Sequence, residues 1–102
     1  MLKVLLVEND PLDQRAFTRF VSQENLPYDY IIAKTVLDAN EILAHHQFDV
    51  VLLDFNLDDG NSFQVLSSVP YDTPAIFTTG SGSEEIAIEA MRRGASDYLI
   101  KD

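Results

Sequence analysis

Residues 49–60 read DVVLLDFNLDDG, and this stretch decides the fold. Four consecutive apolar residues, Val50 to Leu53, are typical of a strand that is buried on both faces, as in a parallel sheet covered by helices. The run stops at Asp54, so a carboxylate follows directly after a buried strand. The carboxyl ends of such strands are where ligands bind in open α/β sheets. Asp54 is therefore the first candidate for a functional residue.

Length, charge and composition restrict the protein class. The chain has 102 residues, enough for one small domain with one core. Its formal net charge of −10 has the wrong sign for binding phosphate backbones, so we expect no direct contact with nucleic acid. The apolar runs are too short to cross a bilayer, no signal-peptide cleavage pattern follows the first residues, and Cys is absent. We expect a cytoplasmic protein that is not in the membrane.

Short apolar runs alternate with helical patterns along the whole chain, as in βαβ units. Five strands are predicted, at residues 2–7, 30–35, 49–53, 75–78 and 97–100. Parallel strands require crossover connections, and these are right-handed. The sequence therefore predicts an α/β fold in which a five-stranded parallel sheet is wound on both faces.

Local signals mark the ends of the predicted helices. Asp10 is a predicted N-cap before Pro11. Ser83 is the predicted N-cap of the fourth helix, and Gly94 is the predicted C′ residue after it. Among the aromatic residues, Phe55 is expected to be exposed beside the site, and four others are expected in the core: Phe17, Phe20, Phe63 and Phe77.

Reactive side chains follow the predicted strands at their carboxyl ends. They are Glu8, Asn9, Asp10, Asp54, Thr79 and Lys101. Several carboxylates at one edge repel one another unless a cation offsets them, and Mg²⁺ suits such oxygen-rich sites. Asp54 is then a metal ligand, a nucleophile that attacks phosphorus, or both. Lys101 and Thr79 are the residue types that neutralise and hydrogen-bond a transferred phosphoryl group.

Four blocks in order resemble the receiver domain of response regulators in two-component signalling: LLVEND, LLDFNLDDG, FTTG and GASDYLIKD. The resemblance covers essentially the whole chain and implies the flavodoxin-like strand order 2-1-3-4-5. It implies that Asp54 is the phosphoacceptor. It also implies a site for Mg²⁺, or Mn²⁺ in its place, formed by Glu8, Asn9, Asp54 and the backbone carbonyl of Asn56, with Asp10 as a further candidate ligand.

The same resemblance implies a switch. Thr79 would move toward the phosphoryl group, Lys101 would be its counter-ion, and the rotamer of Tyr98 would follow Thr79. The implied partners are a histidine kinase or phosphotransfer protein, an output domain or downstream protein that binds the face of helix 4 and strand 5, and a second copy in a homodimer. Such a domain is not an enzyme beyond catalysing its own phosphorylation and dephosphorylation.

The sequence departs from the family pattern first at the acid pair and second at two positions where the family has proline. The pair is Glu8-Asn9 rather than two acids, which lowers the expected metal affinity because an amide carries no charge. Asp10 could compensate, but we favour its role as an N-cap. Asp58 stands where the family often has proline, and Asp102 stands where proline usually follows the lysine.

The third departure is the missing fifth helix after the last predicted strand. We expect residues 1–102 to be a single receiver domain cut from a longer protein before that helix, or covered there by another chain. The first helix alone would then cover its face of the sheet, and apolar strand residues would be exposed.

Three functions compete on these residues. The favoured one is a phosphorylation-dependent switch that takes a phosphoryl group onto Asp54 with Mg²⁺. The alternative is a pseudo-receiver, a constitutive protein-interaction module without phosphorylation, which Asn9 favours. A phosphatase of another phosphoaspartyl class would have D-x-D after the strand, and Asn56 stands at the second position.

Overall fold

The computed structural model describes residues 1–80 and 84–101. Its main sheet has five strands, β1 (Leu2–Val7), β2 (Tyr28–Ala33), β3 (Val50–Asp54), β4 (Ala75–Gly80) and β5 (Asp97–Lys101). All neighbouring pairs are parallel, in the order β2-β1-β3-β4-β5. The helices between them are α1 (Pro11–Gln23), α2 (Val36–His45), α3 (Phe63–Leu66) and α4 (Glu84–Arg92). The predicted doubly wound, flavodoxin-like fold is confirmed.

The core lies between the sheet and helices α2, α3 and α4. Leu5, Val7, Val51, Leu53 and Phe77 are fully buried in one cluster with residues of these three helices. The first four lie at alternate positions of β1 and β3, as expected for side chains on one face of a sheet. Phe77 joins them from β4. Burial of this face fixes the strand register, and the register in turn fixes which residues stand at the strand ends.

The opposite face carries α1 and is less completely covered. Phe17 of α1 contacts the ring of Tyr30 edge to face, with ring centroids 5.3 Å apart, and Tyr30 pairs in register with Val4. Farther along the sheet, Leu52 and Ile76 are only half-buried, and Leu99 is 57% exposed. The expected exposure of apolar strand residues on this face is therefore observed.

Helix α1 begins as predicted. The Asp10 carboxylate accepts a hydrogen bond from the Leu12 backbone N–H at 2.9 Å, and Pro11 occupies the first helical position. The apolar stripe is narrower than the sequence suggested, since Val21 is buried and Phe20 is 56% exposed. The prediction that Phe20 is a core residue is wrong, because Phe17 and Val21 lie on the side of α1 that faces the sheet and Phe20 lies outside it.

Two predicted strands are shifted in the structure. β2 begins at Tyr28 rather than at residue 30, and it ends before Thr35, because the Thr35 hydroxyl caps α2 by accepting from the Asp38 N–H at 3.0 Å. β3 is displaced by one residue and includes Asp54 as its last member. Both strands keep the predicted order, so the strand ends still meet at one edge.

Helix α4 ends in the predicted glycine motif. Gly94 has a φ of +104°, its N–H donates to the Met91 carbonyl at 3.2 Å, and the Ala95 N–H donates to the Ala90 carbonyl at 3.0 Å. These two hydrogen bonds form a Schellman motif, which favours glycine at the left-handed position. The predicted N-cap Ser83 lies outside the described residues. No helix in the described ranges is long and apolar enough to cross a bilayer.

Candidate functional site

Three strands end side by side at the carboxyl edge of the sheet. Val7 of β1 pairs in register with Leu53 of β3, and Asp54 of β3 pairs with Thr78 of β4. Paired residues on neighbouring strands are close, since the strands lie about 4.8 Å apart. The next residues along the chain, Glu8 and Thr79, therefore lie at the same edge of the sheet as Asp54.

Glu8 is held firmly although it follows the end of β1. Only 4% of it is exposed, and its N–H donates to the Ala33 carbonyl at 2.9 Å. One carboxylate oxygen accepts from the Asp10 N–H at 3.2 Å, and the Glu8 backbone carbonyl accepts from the Gln14 amide at 2.6 Å. The turn between β1 and α1 is therefore ordered by hydrogen bonds around this acid. The Asp10 carboxylate already serves as the N-cap, which supports that role over a metal role.

Ser62 ties the end of the loop after β3 back to Asp54. Its side chain is fully buried, and its hydroxyl donates to the Asp54 backbone carbonyl. Its N–H donates to the Phe55 carbonyl at 3.0 Å. Phe55 itself is half-buried and contacts the ring of Phe63 edge to face, so it is less exposed than predicted. These contacts close the loop and fix the backbone at Asp54. Asp54 itself is half-buried.

The loop contains a small hairpin that the sequence did not predict. Its strands, Asn56–Leu57 and Gly60–Asn61, pair antiparallel, which leaves Asp58 and Asp59 at the tip. The Asp58 carboxylate accepts a hydrogen bond from the Asn9 side-chain amide nitrogen at 3.0 Å. Two departures from the family pattern, at positions 9 and 58, are thus in direct contact.

Asp59 points the other way and binds the N-terminus of α2. Its two carboxylate oxygens accept from the N–H groups of Val36 at 2.7 Å and Leu37 at 3.1 Å. These backbone hydrogen bonds lower the pKa of Asp59 below 3.8, because they stabilise the charged carboxylate. The hairpin tip is therefore anchored at both of its residues, to Asn9 on one side and to α2 on the other.

Thr79 has a buried hydroxyl that lacks a hydrogen-bond partner in the described part of the chain. The residue is only 2% exposed. Buried polar groups are nearly always hydrogen-bonded, and each exception requires an explanation. Its neighbour Thr78 differs, since the Thr78 hydroxyl donates to the Leu53 carbonyl at 3.5 Å.

The remaining predicted site residues lie in the hairpin and in β5. Asn56 is exposed in the first strand of the hairpin. Tyr98 pairs in register with Phe77 and is 38% exposed. The backbone of Lys101 pairs with Gly80, next to Thr79, and its side chain lies outside the described part of the structure.

The donor set at this edge consists of oxygen atoms. Within the described ranges, no group of three or more His, Cys, Asp or Glu side chains is close enough to hold a metal ion. Two carboxylates, Glu8 and Asp54, stand at neighbouring strand ends, and amide and backbone oxygens lie nearby. Mg²⁺ commonly uses only one or two protein carboxylates and keeps several waters, so this set fits Mg²⁺ better than a cation that requires a full protein cage.

Sequence reasoning missed Ser62 and Asp59. Neither has a local signal, because Ser62 acts on a backbone carbonyl eight residues earlier and Asp59 caps a helix that starts 23 residues earlier. A serine and an aspartate in a polar loop are ordinary turn residues when only the neighbouring sequence is considered. Their roles depend on the fold of the loop.

Comparison with known proteins gives one consistent result. The family described as "Response regulator receiver domain" matches residues 4–102. The luminescence regulatory protein LuxO of Vibrio campbellii is 44% identical over an alignment of 79 residues, and the match covers 74% of this chain and 17% of LuxO. The chain thus spans about a sixth of the length of that curated relative.

Solved structures agree on the fold. The non-phosphorylated HemR receiver domain from Leptospira biflexa is 27% identical, with a TM-score of 0.85, and the match covers 99% of this chain and 82% of that one. The receiver domain of sensor histidine kinase PA1611 from Pseudomonas aeruginosa, solved with magnesium in its active site cleft, matches at 20% identity with a TM-score of 0.83. That match covers 98% of this chain and 84% of the other and is evidence for the fold alone.

Proposed function

The chain belongs to the response regulator receiver domain family, and from this premise we propose that it is a phosphoacceptor switch that receives a phosphoryl group on Asp54. The observation that carries the proposal is the buried hydroxyl of Thr79, which has no hydrogen-bond partner within residues 1–80 and 84–101 as described. Thr79 follows the register partner of Asp54, so a phosphoryl group on Asp54 would bring oxygen acceptors to the sheet edge where this hydroxyl lies, which has no partner among the described residues.

The chemistry follows from the residue types at the edge. The Asp54 carboxylate oxygen attacks phosphorus, the new O–P bond forms as the P–N bond of a phosphohistidine breaks, and the imidazole nitrogen keeps the electron pair. The Thr79 hydroxyl donates to a phosphoryl oxygen, and Lys101 is the proposed counter-ion. Tyr98 is the proposed follower of Thr79. The domain acts as a signalling switch whose catalysis is limited to its own phosphoryl transfer and hydrolysis.

The oxygen donors at the edge fit a divalent cation. Glu8, Asn9, Asp54 and the backbone carbonyl of Asn56 are the residues that would hold Mg²⁺, or Mn²⁺ in its place, and Asp10 is a weaker candidate because it caps α1. When bound, the ion neutralises negative charge on the phosphoryl group. The magnesium site of the PA1611 receiver domain supports this assignment by analogy of fold.

The face formed by α4 and β5 is the proposed partner-binding surface. Four large apolar side chains from these two elements are exposed there: Ile88, Met91, Tyr98 and Ile100. Exposed apolar groups on adjacent elements are typical of a protein-binding surface. The proposed partners are a histidine kinase or phosphotransfer protein as donor, an output domain or downstream protein as reader, and a second copy of the chain. The proposed location is the cytoplasm.

A pseudo-receiver is the second candidate function, and Asn9 is the observation that favours it. An amide in place of an acid removes one charge from the proposed metal site, and weaker Mg²⁺ binding would impair phosphoryl transfer. In this case the α4 and β5 face would bind a partner constitutively.

Intact mass of the purified domain after incubation with acetyl phosphate separates the two functions. We expect one phosphoryl adduct with Mg²⁺ and none without it, and none in Asp54→Asn. Circular dichroism of the variant checks that it is folded. If the folded wild-type domain forms no adduct even at high Mg²⁺, the switch is refuted and the constitutive binding module becomes the favoured function.

A further inference from the structure

We infer that Asp58 is a positioning residue for the proposed cation site, and that it adapts the site to the asparagine at position 9. The inference rests on the proposed function, because it concerns the same site. It is based on the hydrogen bond from the Asn9 amide nitrogen to the Asp58 carboxylate, which is 3.0 Å long and joins residues 49 positions apart in the sequence.

An asparagine at a metal site has an orientation problem that an aspartate lacks. Both oxygens of a carboxylate accept hydrogen bonds or bind a cation, whereas an amide has one oxygen acceptor and one NH₂ donor. Only the oxygen end binds a hard cation such as Mg²⁺. Asn9 therefore contributes to the site only if its amide is turned the correct way.

Asp58 fixes that orientation. A carboxylate accepts hydrogen bonds and donates none, so it pairs only with the NH₂ end of the Asn9 amide. The carbonyl oxygen of Asn9 is then the end of the amide that does not face Asp58.

Asp58 is held in place by contacts that do not involve Asn9. The hairpin pairs Leu57 with Gly60 on either side of the tip, and the next residue, Asp59, is bonded to two backbone N–H groups of α2. Asp58 is exposed and Asn9 is half-buried. The carboxylate thus reaches Asn9 from a loop whose position is already set.

Calorimetric titration with MgCl₂ tests the inference in a double-mutant cycle of wild type, Asp58→Ala, Asn9→Asp and the double variant. We expect Asp58→Ala to weaken Mg²⁺ binding about fivefold in the wild-type background, the factor that corresponds to the typical net contribution of one hydrogen bond. In the Asn9→Asp background there is no amide to orient, so the same change should have an effect of at most about twofold. Equal ratios in the two backgrounds would refute the positioning role.

Two further variants and one spectrum complete the experiment. Asp72→Ala removes the same charge from an exposed loop at the opposite edge of the sheet and should change the Kd by less than about twofold. Asp58→Asn keeps an oxygen acceptor, so it should bind Mg²⁺ more tightly than Asp58→Ala.

Without metal, the side-chain amide resonance of Asn9 in a ¹⁵N spectrum should shift in Asp58→Ala and stay in place in Asp72→Ala. An unmoved Asn9 resonance in Asp58→Ala would contradict the contact itself.

The outcomes distinguish this inference from the proposed function. If wild type binds Mg²⁺ and forms no adduct with acetyl phosphate, the switch is refuted while the role of Asp58 is retained. If wild type is phosphorylated and Asp58→Ala binds Mg²⁺ equally well, the role of Asp58 is refuted and the switch is retained. If wild type does not bind Mg²⁺, both are refuted.

Discussion

Replacing Thr79 with valine should stabilise the protein and impair its proposed switch at the same time. The Thr79 hydroxyl is buried and has no partner in the part of the chain that the structure describes, and valine has nearly the same shape with a methyl group in place of the hydroxyl. Valine is also a favourable strand residue, so β4 should be unaffected. The substitution removes a desolvation cost and leaves the packing of the side chain in place.

The expected gain follows from the cost of an unsatisfied buried group. That cost is about 1–3 kcal/mol, and we expect at least 1 kcal/mol of it to appear as an increase in the free energy of unfolding. For a domain of this size, about 1 kcal/mol corresponds to a rise in Tm of about 4 °C or more. With a urea m-value of about 1–2 kcal/mol/M, the same gain raises the unfolding midpoint by about 0.5–1 M.

Urea unfolding followed by far-UV circular dichroism, without Mg²⁺ at pH 7, measures the difference. Thr78→Val is the matched control, because Thr78 is the neighbouring residue of the same type and its hydroxyl donates to the Leu53 carbonyl. This control loses a hydrogen bond and should be neutral or less stable than wild type. If Thr79→Val is no more stable than wild type, the hydroxyl has a partner in solution, and the main support for the role of Thr79 is lost.

Two other predictions concern stability. Asp59→Asn should lower the free energy of unfolding at pH 7, and the difference from wild type should shrink as the pH falls below 3.8. The reason is that the pKa of Asp59 is lower in the folded state than in the unfolded state. The stabilisation by its carboxylate is therefore present above the unfolded-state pKa and is lost as the folded protein is protonated. Urea unfolding at pH 7 and pH 3 checks this, and a difference that is equal at both pH values would contradict it. Phe77→Ala should cost about 3–5 kcal/mol because the side chain is fully buried, whereas Phe20→Ala should cost less than about 0.5 kcal/mol because Phe20 is 56% exposed. Similar losses in the two thermal unfolding curves would refute this account of the core.

The fold was predictable because its signals are local and repeated. The apolar run of β3, the cap at Asp10 and the glycine at position 94 each depend on neighbouring residues, and all three appear in the structure as predicted or displaced by one residue. The error at Thr35 has the same origin, since a β-branched residue after an apolar run suits a strand and also suits a helix cap. Only tertiary contacts distinguish the two.

The candidate site was predictable in its residue types and less so in its contacts. Strand order brings Glu8, Asp54 and Thr79 to one edge, and the sequence pattern sufficed for that. The hydrogen bond between Asn9 and Asp58 depends on how a hairpin turns in a loop, which no periodicity encodes. The sequence also does not show that the Thr79 hydroxyl lacks a partner among the described residues, because a hydrogen bond to a hydroxyl depends on every neighbour in three dimensions.

The position of β1 in the sheet has a consequence for hydrogen exchange. β1 lies between β2 and β3, and its residues from Val4 to Val7 are at most 8% exposed. In the described structure β5 pairs with β4 alone, and its side chains from Asp97 to Ile100 are exposed. Amide protons at Leu5 and Val7 should therefore exchange only on global unfolding, and those of β5 through smaller local openings. β5, which belongs to the surface proposed to bind partners, is then the strand of the sheet that requires the least free energy to rearrange.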